Sequence, residues 1–105
     1  MRIPLFAVAL LCLAVPAMAE EPLHLTIKDH KFQPERIEIP AGTKIKLLVR
    51  NDDDVAAEFE SFQMDREKVV PPGKEVPVFI GPLDKGEYPF FDDFHQDAKG
   101  VLVAR

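Results

Sequence analysis

The stretch "YPFFDDFHQDAKG", residues 88–100, decides how the rest of the chain is read. An aromatic run ends in Asp92 and Asp93, His95 follows three residues after Asp92, and Gly100 opens the apolar run 101–103. Side chains alternate across a strand, so Tyr88, Phe90 and Asp92 share one face. Asp92 then points along the core face, at the end where the core opens. A lone carboxylate is costly to bury there unless a cation or a base stands nearby. An exposed turn of ordinary aspartates is the alternative. Asp93 starts the loop and faces the other way.

Outward from this hairpin, strand signals dominate. Leu23, Leu25 and Ile27 alternate with His24, Thr26 and Lys28, the period of a half-buried strand. Ile37 and Ile39 continue the pattern, then Ile45, Leu47 and Val49, then Val76, Val78 and Ile80. Pro77 marks that last run as an edge strand or a bulge. Turn chemistry separates the runs at residues 40–42, 51–54, 71–74 and 81–86. Short strands at this spacing predict an antiparallel sandwich or barrel. Residues 61–70, "SFQMDREKVV", read poorly as a strand and predict a helical turn or an excursion.

Residues 1–19 stand apart. A short positive start, an apolar run and the small-x-small ending before Glu20 predict a signal peptide cut after Ala19. Cys12 as a lipid-bearing cysteine is the competing reading, but Leu11 precedes it rather than a small residue. Export implies the periplasm. The remaining domain, residues 20–105, has no cysteine, so neither a disulfide nor a thiolate ligand is available to it. Its 12 Lys and Arg face 18 Asp and Glu, a formal charge of −6. No basic patch suits nucleic acid, and no second apolar segment suits a membrane span. Phosphate loops, nucleophile elbows and Cys-x-x-Cys pairs are absent. Ser61, the one serine of this domain, has no histidine placed beside it.

In chain order, "HKFQPERIEIPAG" (30–42), "KIKLLVRNDD" (44–53) and "GEYPFFDDFHQDAKGVLVA" (86–104) resemble the cupredoxins. The resemblance implies a Greek-key β-sandwich of six to eight strands holding a metal at one end. The last hairpin of type 1 copper members runs Tyr-x-Phe-x-Cys-x-x-His-x-x-Met-x-Gly. Here that frame is filled by Tyr88, Phe90, Asp92, His95, Ala98 and Gly100. Aspartate stands at the thiolate position and alanine at the axial methionine, so His95 alone matches the ligand set. The "EFES" of Glu58–Ser61, the "REKVVPPG" of Arg66–Gly73 and the "FF-x-x-FH" of Phe90–His95 are similar to a narrower group. These are the cupredoxin-like proteins that accompany bacterial high-affinity iron permeases. That similarity implies ferrous iron uptake, with iron and/or copper bound and a permease or another periplasmic uptake component as partner. Assistance in Fe(II) oxidation is a further implied role.

Carboxylate oxygen with imidazole nitrogen suits iron, manganese, zinc, or copper outside a blue-copper geometry. The expected metal ligands are His95, Glu58, Asp92, Asp93 and His30. His95 holds a ligand position of the frame. Glu58 lies near the place where the family puts its other histidine, after Asn51. Glu58 and Glu60 share a strand face, and if Phe59 is core both point away from it. His30 precedes Phe32 and Pro34 in loops that cupredoxins set at the metal end; capping or solvent exposure is its alternative. Met64 is a soft extra donor or packing, His24 a surface residue, and residues 52–54 a solvated turn lacking the pattern of a calcium loop. A non-catalytic periplasmic copper or iron carrier, and a metal-free sandwich acting as an interaction module, are the rival functions.

Overall fold

A computed structural model describes residues 21–105, so the expected signal peptide, residues 1–19, lies outside the described residues. Nine strands follow in order: β1 (Leu23–Lys28), β2 (Lys31–Gln33), β3 (Arg36–Ile39), β4 (Ile45–Asn51), β5 (Ala57–Ser61), β6 (Arg66–Val70), β7 (Glu75–Ile80), β8 (Gly86–Asp92) and β9 (His95–Ala104). They form two packed sheets, β2-β1-β4-β7 and β3-β9-β8-β5-β6. The chain crosses between sheets after β2, β3, β4, β6 and β7, as in a Greek key. Among the described residues no helix is long and apolar enough to cross a membrane.

Nine strands slightly exceed the six to eight expected, because two segments escape a periodicity reading. Lys31–Gln33 is a three-residue strand whose Phe32 alone is buried. Residues 61–70 hold no helix: a tight turn joins β5 to β6, and β6 pairs antiparallel with β5 from Ala57↔Val70 to Ser61↔Arg66. β6 lies at the edge of its sheet with only Val70 buried, so it has no alternation to betray it. Two pairings, β1 with β4 and β3 with β9, are parallel, within what the spacing predicts as an antiparallel sandwich or barrel. The crossovers carry the chain back in the same direction. Pro77 does lie on an edge strand, since β7 pairs with β4 alone.

The alternating residues meet between the sheets. Leu25, Ile27, Ile37, Ile39, Ile45, Leu47, Val49, Val78, Ile80 and Leu102 are all buried. Phe32, Phe59 and Phe90 cluster near the loop end, with ring centroids 4.9 Å (Phe32–Phe90), 5.2 Å (Phe59–Phe90) and 6.5 Å (Phe32–Phe59) apart. Each fully buried phenylalanine is worth roughly 1.5–3 kcal/mol of transfer free energy. Met64, weighed as a soft donor, is buried in this core.

The β8–β9 hairpin positions the site. Tyr88 pairs with Leu102, Phe90 with Gly100 and Phe91 with Lys99, after which the register jumps so that Asp92 pairs with His95. Residues 96–98 are thereby looped out of the ladder. The Phe90 ring lies so close over Gly100 that a Cβ there would fall 2.4 Å from ring carbons and 2.9 Å from the Glu35 carbonyl. Glycine is required for that approach. Gly100→Ala should destabilise the fold by about 1–3 kcal/mol, the usual cost of overpacking. The melting temperature should then fall by at least about 4 °C, measurable by calorimetry; an unchanged melting temperature would contradict this packing.

Candidate metal centre

Asp92 is fully buried at the end of β8. Its Oδ1 accepts the backbone N–H of Glu58 at 2.9 Å and of Phe94 at 3.0 Å. Its Oδ2 lies 3.1 Å from Nδ1 of His95. A buried carboxylate is tolerable when donors surround it, and this one is so surrounded. The parity argument was right about its direction, and a base does stand nearby: His95 lies at one oxygen, while two backbone N–H groups occupy the other. Both oxygens are committed inside the protein, and the aspartate at the thiolate position acts as a tie between β5, the hairpin turn and His95.

Phe59 is wholly buried in the core, so Glu58 and Glu60 point from the opposite face of β5. Glu60 is paired across the ladder with Glu67 on one side and Phe91 on the other. Asp93 donates its backbone N–H to the Glu58 carbonyl, 2.9 Å away, which brings its side chain onto that outer face. Glu58, Glu60 and Asp93 each offer an oxygen within 4.8 Å of the others. Among the described residues they are the one group of three or more carboxylate, histidine or cysteine side chains gathered so closely. Gln96 Nε2 donates to Asp93 Oδ1 at 3.1 Å. No Lys, Arg or His among the described residues makes an ion pair with Glu58, Glu60, Glu67 or Asp93. Glu58 itself is only 7 % exposed. Burial, with Glu60 and Glu67 beside it, pushes its carboxyl from 4.5 up to about 7.

The two histidines stand elsewhere. His30, in the β1–β2 turn, stacks on His95 with ring centroids 4.0 Å apart and planes 27° from parallel. The turn is held by Asp53, whose carboxylate accepts the N–H of Asp29 at 2.7 Å and of His30 at 3.0 Å. Those two bonds, His30 first, hold the Asp53 carboxyl below its usual range. Asn51, fully buried, fixes the position of Asp53: its Oδ1 accepts the Asp53 N–H, while its Nδ2 donates to the carbonyls of Val55 and Val70. Residues 52–54 are therefore more than a solvated turn.

The five expected ligands thus fall into two groups. Glu58 and Asp93 come together, joined by Glu60; His30 and His95 come together; Asp92 lies between, tied to both. Glu60 is not among the five expected ligands, although its shared face with Glu58 is visible in the alternation. Glu67 and Asp53 carried no local signal, since cross-strand pairing and a turn brought them in. A type 1 copper centre does not fit this donor set. The described residues contain no cysteine, Ala98 offers no donor, and the oxygens of Asp92 are already bonded. Ser61 serves the fold: its Oγ donates to the Pro89 carbonyl and accepts the Met64 N–H.

Two outcomes follow from these contacts. Asp92→Ala would strand the buried N–H of Glu58, at a cost of about 1–3 kcal/mol, and free the part-buried N–H of Phe94, so chemical denaturation should show a loss of at least about 1 kcal/mol. The second concerns pH. Between 4.5 and about 7 Glu58 is protonated in the folded protein and ionised in the unfolded chain. Unfolding then releases a proton, so this contribution is full below pH 4.5 and is lost as pH rises through about 7. Without metal, the melting temperature should fall from pH 5 to pH 8, and Glu58→Gln should flatten that slope.

A model of the "Cupredoxin-like domain" family matches residues 1–104. A protein of uncharacterised function from Rickettsia prowazekii (strain Madrid E) is 48% identical over 80 residues, covering 75% of this chain and 64% of that protein. The chain therefore spans less than two thirds of that relative's length. Among solved structures, the purple cupredoxin of Nitrosopumilus maritimus superposes with a TM-score of 0.62 at 19% identity, covering 79% of this chain and 99% of that one. Amicyanin of Paracoccus versutus gives 0.65 at 17%, covering 88% and 86%. Reduced auracyanin of Roseiflexus castenholzii gives 0.67 at 12%, covering 80% and 96%. At these identities the structures speak for the fold alone. With its two-sheet sandwich and a family match over nearly the whole sequence, the chain belongs to the cupredoxin-like domains.

Proposed function

We propose that this protein is a periplasmic metal-ion carrier of iron uptake, holding its ion at Glu58, Glu60 and Asp93 and passing it to a membrane permease. The observation that carries the reading is Glu58, nine-tenths buried beside two more carboxylates with no cation facing it. Such a group gains most from an ion, because one ion removes both the desolvation cost and the mutual repulsion. Oxygen donors select hard or borderline cations, and Fe(III) most strongly through its charge. The oxygens, within 4.8 Å of one another, need only a small closure to meet bonds of about 2.0–2.2 Å. Iron as cargo and a permease as recipient rest on the "EFES", "REKVVPPG" and "FF-x-x-FH" segments and on the expected export signal. The interaction-module reading leaves the unpaired carboxylates unexplained. Carriage needs only binding and release, and oxygen uptake in the presence of Fe(II) distinguishes an oxidising role from it.

Mn(II), a redox-silent oxygen-seeking probe, and Fe(II) under anaerobic conditions should both bind in calorimetry. Glu58→Gln or Glu60→Gln should weaken binding by at least about 10-fold. Because the ion displaces the Glu58 proton, affinity should rise between pH 6 and 8. Unchanged affinity in both variants would overturn the assignment, and a protein binding neither ion would favour the interaction module.

A further inference from the structure

The outer faces of the two sheets differ in charge, and packing alone does not require that difference. In the sheet β2-β1-β4-β7, alternation turns the apolar residues inward. Lys28, Lys31, Lys46 and Arg50 therefore point outward, with one acid, Glu75, among them. On the other sheet the outward set is Glu38, Glu58, Glu60, Glu67 and Glu87, joined by Asp93, against Arg36 and Lys99. Residues 20–105 carry a formal charge of −6, yet keep one broad face cationic. Lys44 and Lys74, both exposed, stand immediately before β4 and β7 and extend that face. Lys28, Lys31 and Lys46 make no ion pair among the described residues, while Arg50 is paired with Asp52.

An apolar ridge runs along one side of this face. The cross-strand register sets Leu48 opposite Pro77 and Lys46 opposite Phe79. Phe79 is 62% exposed on the edge strand β7. The Arg66 Nε donates to the Phe79 carbonyl at 2.7 Å, which fixes the backbone that presents the ring. Four strands, roughly 4.8 Å apart, make the face about 15 Å wide. Spread cations beside an exposed aromatic ring suit a surface that bears many mobile negative charges over an apolar layer. Lipid headgroups diffuse laterally and match cations placed without a fixed pattern, whereas a folded acidic partner has to offer matched positions. The acids of the far face do not cancel the attraction. The sheets stand about 10 Å apart and the side chains add to this, so those charges lie beyond the Debye length of about 8 Å at physiological salt.

We propose that the outer face of the sheet β2-β1-β4-β7 docks on a membrane surface carrying anionic headgroups. Lys28, Lys31, Lys46 and Arg50 meet the phosphates, and Phe79 seats at the acyl boundary. A few cations and one ring make this contact peripheral and reversible. Because the two outer faces are opposed, docking leaves Glu58, Glu60 and Asp93 turned to solvent. None of those three takes part in the contact, so the proposal stands or falls independently of the carrier reading.

The test uses residues 20–105, which hold all nine strands, because the apolar run before them would itself seek lipid. Co-sedimentation compares vesicles of phosphatidylcholine with vesicles of equal parts phosphatidylcholine and phosphatidylglycerol. The domain should bind the anionic vesicles alone, and binding should vanish as salt rises from about 0.05 M to about 0.5 M. Lys28→Glu combined with Lys46→Glu should weaken binding by at least about 10-fold. Arg36→Glu combined with Lys99→Glu, the same change of net charge on the opposite face, should leave it unchanged. The chain has no tryptophan, so Phe79→Trp gives a single reporter whose emission should shift to the blue on anionic vesicles. Equal binding to both vesicle types, binding to neither, an unshifted emission, or equal loss in the two double variants would each overturn the proposal. Retention on a polyglutamate resin without vesicle binding would also overturn it, and would assign the face to an acidic protein. The lipid and salt comparisons on the unaltered domain decide the matter even if the double variants fold poorly.

Discussion

The carboxylate of Asp92, with no exposed surface and three donors around it, is the contact on which the loop end depends. It ends β8, grips the backbone of β5 at Glu58, closes the turn at Phe94 and orients His95. Because the grip on Glu58 is through its N–H, the Glu58 side chain is left free while its position is fixed. The adjoining bond, from the Asp93 N–H to the Glu58 carbonyl, brings Asp93 beside Glu58 on the outer face. One buried charge thus sets the spacing of the carboxylate group on one side and the direction of an imidazole on the other.

A comparable device operates in the facing sheet. Buried Asn51 holds Asp53, and Asp53 holds the turn that carries His30. The two sheets therefore meet at the loop end through a pair of histidines, each backed by an aspartate that the fold already uses. Buried polar groups of this kind contribute little net stability when satisfied, but leaving one unsatisfied is costly, so they enforce a single arrangement. The outer-face carboxylates follow the opposite logic. They have been brought together without a cation, and the raised Glu58 carboxyl records the cost.

Much of the fold was legible because it depends on alternation. Leu25 and Ile27, Ile45 to Val49, and Val78 and Ile80 each face a core on one side and water on the other, and a period of two shows this in a single chain. β6 was not legible because an exposed edge strand has no buried face to impose a pattern. β2 was too short to show one. What alternation and the hairpin frame convey is location rather than role. His30, Glu58, Asp92, Asp93 and His95 all lie at the loop end, but a ligand and a buried hydrogen-bond acceptor look alike in sequence when both are aspartate.

By itself, then, the sequence determined an all-β domain with its core residues, the loss of sulfur donors from the cupredoxin frame, and the clustering of acids and histidines near the last hairpin. These depend on residue type and on spacing along the chain, which alternation converts into faces. Only the tertiary structure decided that Asp92 bonds inward, that Glu60 joins Glu58 and Asp93, and that His30 meets His95. Those outcomes depend on cross-strand register and on which backbone N–H groups reach a given oxygen, and these are set by contacts between residues more than twenty positions apart.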